Sequence, residues 1–442
     1  MEKSPTYLKP AATILGSYIV VILMGTGLLM LPVSLNSGVK LRFLDALFTA
    51  TSAVCITGLS VLDIANTFST FGQVTLLILV FVGGIGIVTA ALLAILATGQ
   101  RLGVAHRQHI NEFLGGNFAS PQRVILSVLL YSVLVQVLGF FLLWALWFKQ
   151  ENAAYLAAFH SISAFNNAGF SLYPDSLARY LHDPLTTLAI IGLVQAGSIG
   201  FLLVFNLYQY SKDRQANPLT LSSKISLFSA LVLLFIGTCV YLLLEWANPR
   251  TLGSLEPWQR FHAALFMAVT PRSAGLTNVD YTALSPASTF ITLILMFVGA
   301  SPVGTGGGIK TTTFFVLLLA AISFVRYGGE PSVFSRRISF TVVLKSLALA
   351  FFGVQVMGVA FTLLAITEAK QNMVYLVFEA VSAFATVGLS MNITPELSDI
   401  GRVIIISLMF LGRVGIITFA LALTNPSNKR KIRYPEEEIL VG

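Results

Sequence analysis

Charged residues are scarce in this chain. Asp, Glu, Lys and Arg make up 10% of its 442 residues, whereas apolar residues make up 56%. A soluble domain usually carries about 25% charged residues, so the chain has too little polar cover for water. Its uncharged stretches each provide the roughly 20 residues that a helix needs to cross the hydrocarbon of a bilayer. They run over 64–100, 124–148, 184–211, 225–244, 281–309 and 346–367. The sequence therefore predicts a protein that crosses the membrane several times.

Cysteine is also rare, and common enzyme motifs are missing. Cys55 and Cys239 are too few for a disulfide framework or a thiolate metal site. The sequence lacks HExxH, GxSxG and paired carboxylates within its apolar runs, which disfavours a membrane-embedded enzyme. The net charge of +8 resides in loops and forms no basic stripe with interleaved aromatics, so we expect no nucleic-acid partner.

A short phrase ending in glycine and a hydroxyl residue occurs four times along the chain. It reads ATSAVCITGLS at 50–60, SISAFNNAGFS at 161–171, VTPRSAGLT at 269–277 and VSAFATVGLS at 381–390. Its glycines, Gly58, Gly169, Gly275 and Gly388, are 111, 106 and 113 residues apart. Agreement at several offsets with regular spacing predicts an internal four-fold repeat.

Each repeat shares one layout. A long apolar run comes first, at 11–33, 122–148, 222–244 and 338–366. A segment of about a dozen residues follows, at 43–54, 154–165, 259–270 and 372–384, too short to span as a helix. A second long run ends the repeat, at 70–99, 184–211, 286–325 and 401–423. The first run exceeds a signal-peptide core and lacks a cleavage pattern, so we expect it to be retained as a span.

This layout predicts an all-α integral membrane protein of four span–pore-helix–span repeats with four-fold pseudosymmetry around one central pore. The expected boundaries are 10–100, 120–212, 220–326 and 337–425, with a cytoplasmic tail over 426–442. Two spans in each repeat return the chain to its starting side. Basic residues concentrate on the side of the termini and inter-repeat loops, which places both termini in the cytoplasm.

The glycine phrases suggest a cation filter made of backbone. Four re-entrant segments around one axis would bring four strips of main chain to a common hole, where carbonyls can replace the hydration shell of a monovalent cation. Glycine permits the necessary backbone angles. The alternative is that these glycines simply allow close helix packing. The predicted filter strips are Ile56-Thr57-Gly58, Asn167-Ala168-Gly169, Ser273-Ala274-Gly275 and Thr386-Val387-Gly388.

The chain resembles the Ktr/Trk/HKT superfamily of potassium transporters, and most of all its bacterial KtrB pore-forming subunits. The resemblance covers essentially residues 10–442 and rests on DALFTATSAVCITGL (45–59), HSISAFNNAGFSLYPD (160–175), AVTPRSAGL (268–276) and FEAVSAFATVGLS (378–390). In that family one filter glycine per repeat marks potassium selectivity, and sodium-selective members carry serine in the first repeat. Gly58 therefore implies potassium. A sodium-permeable HKT-like transporter is the alternative, whereas four-fold repetition argues against a secondary carrier.

The resemblance also implies partners and a location. We expect a homodimer in the bacterial cell membrane, seated on a cytosolic ring of nucleotide-binding, KtrA-like RCK subunits. The tail NKRKIRYPEEEILVG (428–442) resembles the family segment that packs at the dimer interface. Potassium is the expected ion, with sodium as a second candidate. We expect no organic cofactor in this chain, because the nucleotide belongs to the partner.

The third repeat contains a glycine-rich interruption. Its second run carries GASPVGTGGGIKTTT at 299–313, which cannot continue a helix. A phosphate-binding Walker loop is excluded because Ile309 occupies the position of the required glycine. The resemblance implies an intramembrane gating loop. Its expected residues, together with an arginine from the fourth repeat, are Gly299, Ser301, Gly304, Thr305, Gly306, Gly307, Gly308, Lys310 and Arg413.

Two arginines and four histidines require separate interpretation. Arg413 lies within a predicted span, where a charge is functional by default, and we expect it to bind carbonyls of 299–309. Snorkelling to an interface is the alternative. Arg272 precedes the third strip, and we expect it behind the filter, paired with Glu379 or Asp45. The histidines lack metal-ligand spacing and are expected to be structural or solvated: His106, His109, His160 and His262.

Overall fold

The chain is almost entirely helical in the computed structural model, which describes residues 10–86, 121–215, 218–415 and 418–419. The first helices are α1 (Pro10–Leu29), α2 (Phe43–Val54), α3 (Ile64–Thr67), α4 (Thr70–Ile85), α5 (Pro121–Trp147), α6 (Ala153–Phe165), α7 (Pro184–Ser198) and α8 (Phe201–Lys212). Then follow α9 (Leu221–Glu245), α10 (Pro257–Val269), α11 (Pro286–Phe297), α12 (Thr311–Tyr327), α13 (Phe340–Thr367), α14 (Met373–Phe384) and α15 (Asp399–Val414). Between α12 and α13, strands β1 (Ser332–Val333) and β2 (Arg336–Arg337) pair antiparallel. Four 3-10 turns complete the described part, at Pro32–Ser34, Ala178–Tyr180, Tyr281–Ala283 and Thr394–Glu396.

Four of the described helices are long and apolar enough to cross a bilayer. They are α1, α5, α9 and α13, with apolar windows at Ala12–Leu29, Leu126–Trp147, Leu221–Glu245 and Phe340–Thr367. Much of their apolar surface faces outward, as Leu130, Phe235 and Val359 illustrate. Because lipid tails are as apolar as these side chains, such exposure is compatible with a bilayer. These helices occupy the four runs from which the sequence predicts the first span of each repeat.

Each of the four predicted short segments is also a helix. α2, α6, α10 and α14 contain 12 or 13 residues, so at about 1.5 Å per residue each is roughly 20 Å long, shorter than the hydrocarbon of a bilayer. Each packs against the long helix that precedes it. The aromatic side chains of Phe48, Phe159 and Phe378 are fully buried. The short helices therefore lie inside the bundle.

The second spans break more often than the sequence predicts. A break is expected in 286–325, where α11 and α12 are indeed separated by the loop 299–310. The long apolar run 184–211 is bent by 90° between α7 and α8, a break that the sequence analysis did not predict. The bend occurs because Gly200 takes a φ of 91°, which a helix cannot continue. α4 and α15 end similarly at Gly86 and Gly415, and the segments directly after these glycines lie largely outside the described residues.

A second class of glycines sets how closely the helices approach. Gly83, Gly197 and Gly412 each begin a four-residue motif, GGIG, GSIG or GRVG. A Cβ on any of the three would collide with the carbonyl oxygen of the last residue of a short helix. Those oxygens belong, in order, to Val54, Phe165 and Phe384. Glycine is required here for close packing of α4, α7 and α15 on the ends of the short helices.

Glycine-to-alanine substitutions in α7 test this packing. We expect Gly197→Ala to lower the melting temperature of the purified protein in detergent, because overpacking costs about 1–3 kcal/mol. Gly192→Ala in the same helix is the control, since a Cβ there meets nothing within 4 Å. The control is expected to leave stability unchanged or slightly raised, because alanine favours helix by about 0.5–1 kcal/mol. Equal melting temperatures for the two variants would contradict the packing argument.

Candidate functional site

Four strips of non-helical backbone follow the short helices and share one conformation. The strips are 56–58, 167–169, 273–275 and 386–388. Their first residues all have left-handed φ values, 56° at Ile56, 57° at Asn167, 78° at Ser273 and 49° at Thr386. Their final glycines also have positive φ, 89° at Gly58, 73° at Gly169, 70° at Gly275 and 90° at Gly388. Left-handed φ is costly for a β-branched residue such as Ile56, so the surrounding contacts must enforce it.

Backbone hydrogen bonds at the helix ends supply that enforcement. In three strips the middle residue donates its N–H back into the helix, from Thr57 to the Ser52 carbonyl at 2.8 Å in the first strip. The second and fourth strips repeat this bond at 2.8 Å, from Ala168 to Ser163 and from Val387 to Ser382. This is the Schellman pattern of helix termination. The third strip has a different hydrogen bond at this point, in which Ala274 donates its N–H to the Thr270 carbonyl at 2.9 Å.

The four strips meet in a closed ring. A Cβ built on each glycine points at the carbonyl oxygen of the middle residue in the next strip. The approaches are Gly58 to Ala168 at 2.6 Å, Gly169 to Ala274 at 3.4 Å, Gly275 to Val387 at 2.5 Å, and Gly388 to Thr57. The fourth strip thus returns to the first. The glycine and the middle residue of each predicted filter strip are therefore brought together, with main chain against main chain.

A polar cavity of about 540 Å³ opens on one end of the ring. The four glycines line it together with the hydroxyl residues that stand two positions later, Ser60, Ser171, Thr277 and Ser390. Three carboxylates also line it, Asp63, Asp175 and Asp280, which the sequence interpretation did not single out. Their position five or six residues after a phrase glycine is a signal that could have identified them.

Asp175 shows how a carboxylate of this cavity stays charged. Arg179 donates to it at 2.7 Å, and the guanidinium lies 4.0 Å from the centre of the Tyr173 ring. Burial raises the pKa of Asp175, but the hydrogen bonds from Arg179 outweigh it and hold the pKa below its usual range. Asp175 is therefore ionised at neutral pH and forms an ion pair with Arg179 at the edge of the cavity.

The loop 299–310 lies against the other end of the strips. Asn167 Nδ2 donates to Thr305 Oγ1 at 2.5 Å. A Cβ on Gly306 would lie 2.8 Å from the Cβ of Ser273, and one on Gly307 would meet the Thr386 side chain. The loop thus touches the first residue of three strips, opposite the end where the cavity opens.

The loop also provides hydrogen bonds to the break between α7 and α8. Ser301 and Thr305 donate their N–H groups to the carbonyls of Ser198 and Gly197, each at 3.2 Å. Phe201 donates its N–H to the Val303 carbonyl at 3.0 Å. A break at membrane depth leaves backbone groups that need partners. The break between α7 and α8 and the loop 299–310, which belong to neighbouring repeats, therefore provide hydrogen-bond partners for each other.

Two cationic side chains bind carbonyls of the loop. Arg413 Nη1 donates to the Thr305 carbonyl, and its Nη2 donates to the Gly83 carbonyl at the end of α4. Lys310 Nζ donates to the Gly306 carbonyl at 2.6 Å. The predicted contact between Arg413 and a carbonyl of the loop is confirmed. Arg413 also joins the loop to α4, which the sequence did not indicate.

The partner predicted for Arg272 is wrong. Arg272 is buried and donates to the Ala230 carbonyl of α9 at 3.2 Å. Glu379 instead accepts a hydrogen bond from Thr394, and Asp45 pairs with Arg402 at 2.5 Å. Ion pairing among distant segments depends on which helices become neighbours, and the spacing of charges along the chain does not specify this.

The histidines are structural where the structure describes them. His160 is buried within hydrogen-bond distance of the Leu156 carbonyl and Ser171 Oγ, at 2.8 and 3.0 Å. His262 contacts the Leu181 carbonyl at 3.0 Å. Among the described residues, no group of three or more His, Cys, Asp or Glu lies close enough together to hold a metal. His106 and His109 lie outside the described residues.

Comparison with known proteins places this arrangement in context. Residues 3–431 match the family described as TrkH, cation transport protein. The chain is 37% identical to the Ktr system potassium uptake protein B of Bacillus subtilis, over 98% of this chain and 96% of that protein. It is 34% identical to the potassium/sodium uptake protein NtpJ of Enterococcus hirae, over 98% of each. The crystal structure of the potassium transporter TrkH from Vibrio parahaemolyticus superposes with a TM-score of 0.74 at 18% identity, covering 97% of this chain and 88% of that one.

Proposed function

Because the chain belongs to the TrkH family of cation transport proteins, we propose that it takes up potassium ions through the ring formed by its four strips. The observation that carries this proposal is the ring itself, in which each glycine faces a carbonyl of the next strip. Membership of the family also confirms the prediction of a transporter as opposed to an enzyme. Potassium is named for the B. subtilis relative, and potassium with sodium for the E. hirae relative.

The pore runs along a pseudo-four-fold axis through the ring. Four observations at matching positions support this: a long helix, a short helix, a left-handed residue and a left-handed glycine two positions later. The repeats then comprise 10–100, 120–212, 220–326 and 337–425. In the second and third repeats the second span resumes as α8 after Gly200 and as α12 after the loop 299–310.

Backbone carbonyls of the twelve strip residues replace the hydration shell of the passing ion. Two left-handed residues in each strip, such as Ile56 and Gly58, turn successive carbonyls toward the axis. None of the twelve side chains is ionisable, so the ion is selected by dipoles and by the size of the ring. The carboxylates of the adjoining cavity raise the local concentration of cations before they enter.

The loop 299–310 gates the path beneath the filter. It contacts Asn167, Ser273 and Thr386, the residues at which the strips begin. It contains five glycines before Lys310, and Val303 and Gly308 have positive φ. A segment with this composition changes conformation at low cost. Arg413 and Lys310 hold its carbonyls and thereby stabilise the obstructing conformation.

The remaining assembly follows the resemblance to KtrB subunits. The chain forms a homodimer in a bacterial cell membrane, with both termini in the cytoplasm, on a ring of KtrA-like, nucleotide-binding RCK subunits. The relative in B. subtilis is named as a component of a Ktr system, which supports a partner of this kind. The tail expected at the dimer interface, 428–442, lies outside the described residues.

Substituting Gly58 tests the filter. We expect Gly58→Ser to transport ions but to lose about tenfold of its preference for potassium over sodium, or about 1.4 kcal/mol. The added Cβ would lie 2.6 Å from the Ala168 oxygen and 2.8 Å from the Gly169 Cα, so the first two strips must move apart. The measurement is the ratio of potassium to sodium uptake by proteoliposomes containing equal amounts of purified protein.

Gly38 provides a matched control for backbone strain. It has a φ of 84°, close to the 89° of Gly58, but a Cβ there meets nothing within 4 Å. Gly38→Ser should therefore carry a similar conformational cost and keep the native ion preference. If Gly58→Ser also keeps the native preference, Gly58 does not line the filter.

Removing Arg413 tests the gate. We expect Arg413→Ala to raise potassium flux per purified dimer without changing ion preference, because the loop loses a donor to the Thr305 carbonyl. A charge-assisted hydrogen bond contributes about 1.5–3 kcal/mol, enough to shift an open–closed balance about tenfold or more. Arg413→Lys should be intermediate, because lysine keeps the charge but lacks the planar fork of donors.

Two further variants separate a gate from general stabilisation. Arg402→Ala, eleven residues earlier in α15, removes the pair with Asp45 and should reduce thermal stability without raising flux. Deleting part of 301–308 should raise flux by itself, and Arg413→Ala should then add nothing. An equal increase from Arg413→Ala in the intact and shortened proteins would contradict the proposed role of Arg413.

A further inference from the structure

The residue nine positions before each strip glycine lies behind its strip on a short helix. These residues are Thr49, His160, Phe266 and Glu379, all buried or nearly so. They occupy corresponding places but differ in chemistry. Two of them, in the second and fourth short helices, reach the segment that follows the strip. In the order of the ring, these two strips lie opposite each other.

Glu379 is connected by two hydroxyl groups to the polar cavity at the end of the ring. Thr394 Oγ1 donates to Glu379 Oε1 and lies 3.0 Å from Ser390 Oγ. The hydroxyl of Thr394 has one proton to donate, and it faces both the Glu379 carboxyl oxygen and the Ser390 hydroxyl oxygen. Ser390 lines the cavity, two residues after Gly388. A relay from Ser390 through Thr394 to Glu379 therefore links the mouth of the fourth strip to the helix behind it.

The second strip has a shorter link of the same kind. His160 Nδ1 lies 2.8 Å from the Leu156 carbonyl, which can only accept, so this nitrogen carries the proton. His160 Nε2 lies 3.0 Å from the hydroxyl of Ser171, which also lines the cavity. The backbone N–H of Tyr173 donates to the same hydroxyl at 3.0 Å. Ser171 and Ser390 correspond in sequence, and each contacts a side chain behind its strip, although Ser171 also donates to the Ser176 carbonyl at 3.2 Å.

The first strip differs from the fourth in the hydrogen bonds that lie behind it. Ser52 accepts from the Gly58 N–H at 3.0 Å, just as Ser382 accepts from the Gly388 N–H at 3.1 Å. Behind the first strip, however, Thr49 donates to the Asp45 carbonyl of its own helix at 2.9 Å. Ser60 donates to the Leu62 carbonyl at 2.6 Å. The first and fourth strips are thus held alike at the glycine and differently at the mouth.

The burial of Glu379 is costly, which points to a role beyond stability. Its side chain is fully buried, and Oε2 has no hydrogen-bond partner among the described residues. An unpartnered buried oxygen lowers stability, and an apolar side chain of similar size would avoid that cost. On the basis of the function proposed above, we propose that Glu379 is a positioning residue for ion selection, which holds Ser390 at the mouth of the filter through Thr394.

Breaking the relay at either end should affect ion preference. We expect Glu379→Leu and Thr394→Val each to reduce the ratio of potassium to sodium uptake about three- to tenfold, since each removes a buried hydrogen bond that connects Ser390 to the short helix. Glu379→Gln retains an oxygen that can accept from Thr394 and should restore most of the ratio. The measurement uses the full chain in proteoliposomes, with melting temperatures recorded for every variant.

A double substitution distinguishes a relay from two separate effects. If the three side chains act as one unit, Glu379→Leu combined with Thr394→Val should reduce the ratio no further than the larger single change. Multiplied reductions would overturn the relay. Thr49→Val is the matched control, because it removes a buried hydroxyl at the corresponding position of the first short helix. It should leave the ratio unchanged.

The remaining outcomes are also decisive. Lower melting temperatures with an unchanged ratio would show that Glu379 is merely structural and overturn the inference, while the proposed function would stand. If Glu379→Leu does not fold, Thr394→Val and Glu379→Gln decide the matter by themselves. Failure of the unsubstituted protein to take up potassium would overturn the proposed function, and this inference with it.

Discussion

Main chain that leaves the helix within a membrane must find its hydrogen-bond partners inside the protein. Three of the four strips meet this constraint by donating back into the short helices, as Thr57 does to Ser52. The break before α8 meets it through the loop 299–310, which contributes N–H groups from Ser301 and Thr305. The loop in turn directs carbonyls to the cationic groups of Arg413 and Lys310. Each interruption of helix is therefore compensated by another, and the ring, the break and the loop form one connected unit.

Glycine serves two separate purposes in this unit. At the strips, Gly58 and its counterparts adopt left-handed angles and allow neighbouring main chains to approach. In α4, α7 and α15 the glycines at 83, 197 and 412 are helical, and they allow these helices to pack on the carbonyl ends of the short helices. The interpretation of glycine as a packing residue, raised as an alternative for the strips, describes this second set. The two sets of glycines lie close together, because each strip begins where its short helix ends.

Two arginines of α15 bind different kinds of partner. Asp45 is shared by Arg402 and Arg42, at 2.5 and 3.0 Å, and joins α2 to α15. Arg413, on the same helix as Arg402, faces carbonyls instead of a carboxylate. A guanidinium can satisfy several carbonyls at once because its five donors point in different directions. One helix thus carries a structural ion pair at one end and a contact with the loop at the other.

Length and apolarity are local properties, so the sequence alone specifies which segments are helices that span and which stop short. It also locates the twelve strip residues, since the nearly regular spacing of Gly58, Gly169, Gly275 and Gly388 corresponds to a repeated backbone conformation. The closure of the ring, the bend at Gly200, the partner of Arg272 and the relay behind Ser390 emerge only in the folded chain. Gly200 lies within an apolar run that reads as continuous helix, and its break is stabilised by a loop about 100 residues away. Arg272 and its partner Ala230 are 42 residues apart, and Asp45 and its partner Arg402 are 357 residues apart, so these contacts depend on which helices pack together. Hydrogen bonds between distant segments have no periodicity in sequence, and for that reason only the tertiary arrangement of the helices determines them.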